Sequence, residues 1–320
     1  MYLCSYLHNQ VEKYGVLTAD KQNVIDIKLA EETLFDNQIL PNSLNEMISN
    51  PTNQERLKEV FQKAGNNGQN LAVPLSEVEL LAPIIKPNRN IFCLGINYRE
   101  HAFEFEKTKD ETKAIPTHPI VFSKLPSAVI GPDKQILSHS EVTKELDYEA
   151  ELAIIIGKEG TYIPKEEAFH YIYGYTIIND VTARDLQRNH KQWLLGKGLD
   201  THGPMGPYIV TADELLDPQN LNIESRVNGE TRQNSNTKML IFDIPTIIST
   251  LSKGITLQPG DIIATGTPSG VGMGFEPPKF LQPGDVVEVE IENIGVLKSQ
   301  VVHNESKETR ELESTKSRRV

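Results

Sequence analysis

One segment constrains the fold of this chain more than any other: Glu145-Leu146-Asp147-Tyr148-Glu149-Ala150-Glu151-Leu152-Ala153-Ile154-Ile155-Ile156-Gly157. Its second half is an unbroken apolar run, which reads as a strand covered on both faces. Its first half places acids at every second position, so on a strand Glu145, Asp147, Glu149 and Glu151 share one face. An exposed polar face accounts for Glu145 and Asp147. It accounts poorly for Glu149 and Glu151, because unpaired carboxylates at the mouth of a doubly covered strand are costly to desolvate. A cation between them would remove that cost.

A doubly covered strand needs a sizeable core, and 320 residues are ample for one without disulfide or metal staples. Residues 1–80 read as a small N-terminal α+β domain. Tyr14–Leu17 and Val24–Ile27 are strand-like, and apolar spacing over 43–64 fits helices broken near Asn50-Pro51. Gly65-Asn66-Asn67-Gly68 is a turn or linker, and Pro83 to Asn90 reads as the entry to a second domain. That domain, 85–303, is β-rich. Ile91–Leu94, Leu152–Ile156, Ile172–Ile178, Ile262–Ala264 and Val286–Ile291 are β-branched or aromatic runs between turn residues. Gln258-Pro-Gly-Asp and Gln282-Pro-Gly-Asp each precede such a run, and Pro-Gly presets a type II turn. Helices are expected over Val181–Leu195 and Ile244–Leu251. The fold class is therefore α+β, β-rich, with a large and barrel-like mixed sheet. The stretch 304–320 alternates Glu with Lys and Arg and reads as a charged, solvated tail.

A net charge of −12 and a pI near 5.2 argue against coating nucleic acid or anionic membrane by bulk charge. Two isolated cysteines, Cys4 and Cys93, without any CxxC, argue against a disulfide framework or a structural zinc site. The N-terminus has neither a basic start nor a sustained apolar stretch, and no run approaches the ~20 apolar residues of a membrane helix. A cytoplasmic protein without membrane insertion is expected.

Three groups of residues carry chemistry. Asp180 ends the buried run Tyr171–Ile178, at a strand end where pockets open. Together with Glu149 and Glu151 it offers three oxygen ligands and no nitrogen or sulfur, a set suited to Mg²⁺ or Mn²⁺ with about three coordination positions left open. Such a site suits Lewis-acid chemistry. If a helix opens near Asp180, Arg184 faces the same side, although it could equally pair with Asp180 or Asp185. Lys197, in Gly196-Lys197-Gly198, sits in a mobile setting that can reach a pocket. A guanidinium and an ammonium beside a metal imply an anionic substrate. On a helix, His101 and Glu104 are i,i+3 neighbours, the layout of an oriented general base, or of an ordinary surface ion pair. The polar stretch 106–113 beyond them suits a loop or lid. Thr265–Gly272 is glycine-rich but lacks the Gly-Lys-Ser/Thr of a phosphate loop, and GxSxG is absent.

Taken in order, these pieces resemble the fumarylacetoacetate hydrolase family. They are Gly95-Ile-Asn-Tyr with His101 and Glu104, Asp147-Tyr-Glu149-Ala-Glu151, Asn179-Asp180-Val-Thr-Ala-Arg184-Asp185-Leu-Gln187, Gly196-Lys197-Gly198-Leu-Asp200, and Thr265-Gly266-Thr267-Pro268. They span about 85–303, and the likeness is to the bacterial and acylpyruvase-like branch. The resemblance implies a mixed β-roll catalytic domain, usually in a homodimer. It implies Mg²⁺ or Mn²⁺ on Glu149, Glu151 and Asp180, substrate contacts from Arg184, Gln187, Lys197 and Thr267, and a catalytic His101–Glu104 dyad assisted by Lys197. The expected reaction is cleavage of a C–C bond in a small 2-oxo acid through a stabilised enolate, as an acylpyruvate-type hydrolase or an oxaloacetate-type decarboxylase. The alternatives are an isomerase or tautomerase of a 2-hydroxyhepta-2,4-diene-1,7-dioate-like diacid, and a non-catalytic metabolite-sensing or partner-binding module.

Overall fold

The structure is a computed structural model that describes residues 1–65 and 71–304. Most of the Gly65–Gly68 turn and of the charged tail lies outside these residues. The expected strand Leu152–Ile156 is the heart of Ala150–Ile156, whose seven residues are all buried. It pairs antiparallel with Ile172–Asn179 on one side and with Ile262–Ala264 on the other. Its even positions, Ala150, Leu152, Ile154 and Ile156, join one apolar cluster, whereas Ala153 and Ile155 join another. The uninterrupted aliphatic run follows directly from this double coverage.

The sheet around it has twelve strands. In spatial order its main path runs Ala72–Pro74, Asn23–Asp26, Val11–Leu17, Tyr2–His8, Gly203–Thr211, Ile172–Asn179, Ala150–Ile156, Ile262–Ala264, Ile91–Gly95 and Ile120–Lys124. Most pairs are antiparallel, but Ile262–Ala264 runs parallel to Ile91–Gly95, so the sheet is mixed. The path has two ends and, among the described residues, does not close into a barrel. The N-terminal strands enter this same sheet through Tyr2–His8 on Gly203–Thr211.

One face is covered by Leu44, Met47 and Ile48 of the helix Leu44–Ile48 and by Leu57, Val60 and Ala64 of the helix Pro51–Gly65. The expected break at Asn50-Pro51 separates them. The other face is covered by the helix Ile244–Ser252 and by a second sheet of five strands, through Ile223, Val289, Ile291 and Leu297. Both Pro-Gly turns form as expected. Gly260 and Gly284 have φ of +88° and +101°, which only glycine adopts readily, and Asp261 and Asp285 close the turns onto Gln258 and Gln282. Among the described residues no helix is long and apolar enough to cross a membrane.

One expected helix is displaced. Val181–Leu195 is not continuous: Thr182–Ala183 forms a short strand against Leu146–Asp147, and the helices are Arg184–Asn189 and Leu194–Lys197. Apolar spacing masked this break, because Val181, Thr182 and Ala183 are buried by the strand pairing rather than by a helix face.

Since Ile154 is fully buried against the five-stranded sheet side, Ile154→Ala should destabilise the fold by about 2–5 kcal/mol. The half-exposed Val296→Ala should change stability by less than about 0.5 kcal/mol. Urea unfolding of the two variants beside the parent checks the contrast.

Candidate active site

The antiparallel register assembles the acidic group. Ala150 lies opposite Asn179 and Glu151 opposite Ile178, so one step further Glu149 meets Asp180, whose amide donates to the Glu149 carbonyl at 2.9 Å. The Asn179 side chain secures this junction by accepting from the Glu149 amide at 3.0 Å. Glu149, Glu151 and Asp180 each present a carboxylate oxygen within 4.8 Å of the others, and all three residues are buried. Among the described residues this is the one such group of three or more. Glu151 takes a hydrogen bond from the Gly266 amide at 2.8 Å, which brings the glycine-rich loop to the site.

Cations surround the acids. Lys197 Nζ lies 2.8 Å from Glu149 Oε2 and 2.7 Å from Asp180 Oδ2. It is buried on the short helix Leu194–Lys197, not in the mobile setting expected of a lysine between glycines. The ion pairs hold it, and Gly196 packs so tightly on the Gln187 backbone that a Cβ would sit 2.7 Å from the Gln187 nitrogen. Lys124, which no motif singled out, is fully buried with Nζ 2.7 Å from Asp180 Oδ1, and it also donates to the carbonyls of Val181 and Lys197. Arg184 does lie at the site, though not through one helix face shared with Asp180. It opens its own helix after the Thr182–Ala183 strand, and its partners are Asp147 and Glu149 rather than Asp180 or Asp185. Asp185 instead accepts from Thr143 and Lys144.

Asp147 corrects another expectation. It is wholly buried, not part of an exposed face: Arg184 Nε donates to its Oδ2 at 2.9 Å, and the Tyr148, Gly272 and Met273 amides donate to its two oxygens. Glu145, by contrast, pairs with Arg188 near the surface. Alternation on the strand predicted one common face, but the strand is interrupted at Tyr148 and Glu149, which lets the carboxylates take separate surroundings.

These surroundings set the charges. Burial disfavours ionised Glu149, but Lys197 and Arg184 outweigh it and hold the carboxyl at about 2. Glu151 is pushed well above the ordinary carboxylate range by burial and by the Asp180 and Glu149 charges. Burial would lower the Lys197 pKa, but Asp180 and Glu149 raise it, so the ammonium stays charged. The residues fit a hard divalent cation: the donors are all oxygen, they converge, and Glu151 pays a repulsion that such an ion would relieve.

The His101–Glu104 pair forms as expected. On the helix Arg99–Glu106, Nδ1 of buried His101 lies 2.9 Å from Glu104 Oε2. Glu104 Oε1 accepts from the Gly270 amide at 2.9 Å, so the glycine-rich loop orients the dyad as well as the acids. His101, Glu149, Arg184, Gln187, Lys197 and Thr267 line one inner chamber of about 10 Å³, room for roughly one water. Phe105 and Trp193, with rings 6.0 Å apart, line both this chamber and an outer vestibule of about 550 Å³. Thr267 Oγ1 accepts from Gln233 Nε2 at 2.7 Å, and Gln187 Oε1 accepts from Arg184 Nη1 at 3.2 Å. The structure thus gathers every expected site residue. Of the two it adds, Asp147 was legible in sequence only as one more acid in the alternating run, and Lys124 carried no signal there.

Comparison with known proteins shows the family to which this fold belongs. The family profile described as Fumarylacetoacetate (FAA) hydrolase C-terminal matches residues 90–302. The chain is 49 % identical over 289 residues to the oxaloacetate tautomerase YisK of Bacillus subtilis (strain 168), covering 89 % of this chain and 95 % of that protein. A solved fumarylacetoacetate hydrolase from psychrophilic Exiguobacterium antarcticum superposes with a TM-score of 0.78 at 39 % identity, over 95 % of this chain and 100 % of the other. The maleylpyruvate hydrolase from Sphingobium sp. SYK-6, solved in complex with manganese (II) ion and pyruvate, superposes with a TM-score of 0.75 at 31 % identity and the same coverage. The chain belongs to the fumarylacetoacetate hydrolase family.

Proposed function

We propose that this chain is a divalent-metal-dependent enzyme that acts on small 2-oxo dicarboxylic acids through an enolate, and that its reaction is keto–enol tautomerisation of an oxaloacetate-type diacid. The observation that carries this reading is that Glu149 of the acidic triad, the Arg184 and Lys197 cations and His101 of the His101–Glu104 pair line one chamber. The extent of likeness to an oxaloacetate tautomerase favours tautomerisation over the C–C cleavage that the sequence reading put first.

Glu149, Glu151 and Asp180 would hold the Mg²⁺ or Mn²⁺, which when bound supplies Lewis-acid stabilisation of charge developing on the 2-oxo oxygen. Arg184 and Lys197 would bind the substrate's carboxylates. With Nδ1 engaged by Glu104, His101 has Nε2 left to take a proton from C3 of the keto form or deliver one to C3 of the enol form, while the proton on the 2-oxygen would be exchanged with water. Glu104 would steady the imidazolium formed in between. Since the inner chamber holds about one water, a four-carbon diacid enters only if Phe105 and Trp193 yield.

Cleavage is the second reading, supported by the likeness to a maleylpyruvate hydrolase. There His101 would deprotonate water for attack on a distal carbonyl, or, in decarboxylation, protonate the enolate. We also propose, from the family resemblance, a cytoplasmic homodimer, which light scattering in solution tests.

Incubation of the holoenzyme with freshly dissolved enol-oxaloacetate should accelerate loss of the enol absorbance. A chelator should abolish the effect and added Mg²⁺ or Mn²⁺ should restore it. Pyruvate released from oxaloacetate or an acylpyruvate would select cleavage instead. No turnover of any 2-oxo acid would leave a non-catalytic binding module.

Glu149→Ala should remove metal binding, read by calorimetry, together with turnover. Full activity in that variant would sink the site assignment. His101→Ala should spare metal affinity and cut kcat by roughly 10²-fold or more.

A further inference from the structure

Asp147 is the most heavily engaged carboxylate of the site and has no part in the chemistry proposed above. Four groups face it, and all four are donors: the amides of Tyr148 and Gly272 at 2.9 and 2.6 Å from Oδ1, and the Met273 amide and Arg184 Nε at 3.0 and 2.9 Å from Oδ2. An ionised carboxylate can satisfy such a set and an amide cannot, because its NH₂ would confront donors at either oxygen position. Its two engagements reach different parts of the site. Through Gly272 and Met273 it anchors the loop whose Gly270 amide holds Glu104, and so His101. Through Nε it fixes the plane of the Arg184 guanidinium.

That second engagement decides what Arg184 can offer. Nε is taken by Asp147, and Nη1 lies 2.7 Å from Glu149 Oε1 and donates to Gln187. Nη2 is buried and, among the described residues, has no hydrogen-bond partner. Arg184 lines both the inner chamber and the vestibule.

We propose that Asp147 is a positioning residue: it holds Arg184 so that Nη2 alone is left to bind a substrate carboxylate, and it ties that guanidinium to the loop that orients the His101–Glu104 dyad. The proposal rests on the reading of Arg184 as a substrate contact. A guanidinium with one free nitrogen selects a carboxylate from one direction, whereas an unrestrained one could turn its Nε–Nη2 edge to the ligand in a two-pronged contact.

The test compares Asp147→Asn, Arg184→Met and the double variant as holoenzymes at saturating Mg²⁺, with metal affinity measured alongside. Asp147→Asn should leave metal affinity within about twofold of the parent and raise KM for oxaloacetate about tenfold or more. In the Arg184→Met background the same change should alter KM by less than about twofold, because its route through the guanidinium is already gone. An unchanged KM in Asp147→Asn while Arg184→Met raises it overturns the role of Asp147 alone. An unchanged KM in Arg184→Met overturns the reading of the site itself. An equal KM penalty for Asp147→Asn in both backgrounds reduces Asp147 to a structural residue.

A measurement on the unaltered protein covers the case in which Asp147→Asn fails to fold. In ¹⁵N-arginine spectra the Arg184 Nε–H should exchange slowly with solvent and hold its shift when oxalate is added to the Mg²⁺-loaded protein, while the Nη2 signal moves. Movement of the Nε signal in place of Nη2 overturns the proposal.

Discussion

The site depends on keeping several charges out of water at close quarters. Asp147, Glu149, Glu151 and Asp180 are buried, as are Lys124, Arg184 and Lys197. None could be ionised there alone, since desolvating a single charge costs several kcal/mol. All but Glu151 are tolerated because their counter-charges are fixed within hydrogen-bonding distance. The imbalance of one acid falls on Glu151, which faces Asp180 and Glu149 and receives in return only the Gly266 amide and the charge of Lys197, with which it makes no ion pair. A divalent cation would turn that small excess of negative charge into a small excess of positive charge, which suits a dianionic substrate in a chain whose overall charge is −12.

This ionic group in turn explains the architecture around it. The doubly covered strand and its antiparallel neighbour act as a rigid frame: their register sets Glu149 against Asp180, and the apolar layers on both faces keep water away from the junction. The glycine-rich loop closes the frame with backbone amides, Gly266 to Glu151, Gly270 to Glu104, and Gly272 with Met273 to Asp147. One loop therefore touches the acidic triad, the His101–Glu104 pair and the carboxylate that holds Arg184 Nε. Pre-set backbone donors of this kind need no reorganisation when charge shifts during a reaction.

Much of this was legible from residue order. The aliphatic run announced a central strand, Pro-Gly-Asp announced two turns, and the i,i+3 spacing of His101 and Glu104 announced a side-chain pair, because each is a local pattern governed by backbone geometry. What misled were the places where long-range pairing overrode local signals. Asp147 reads as a solvated acid by its neighbours along the chain, yet Arg184 and the Gly272 turn, distant in sequence, enclose it. Lys197 reads as mobile between two glycines, yet the ion pairs and the packing of Gly196 on Gln187 immobilise it. Lys124 carries no local signature, since a buried lysine is recognised only by the acid that faces it.

The sequence by itself determined the strand periodicities, the turns, the choice of oxygen ligands and hence the hardness of the cation they suit. These follow from residue chemistry and spacing over a dozen positions. Only the tertiary structure decided which three acids would converge and which would sit against the Gly272 turn, which nitrogen of Arg184 would lack a hydrogen-bond partner among the described residues, and that one loop would serve three groups. Those outcomes depend on directions and distances between segments 30 to 166 residues apart, and the burial of charge makes them stable only in that one arrangement.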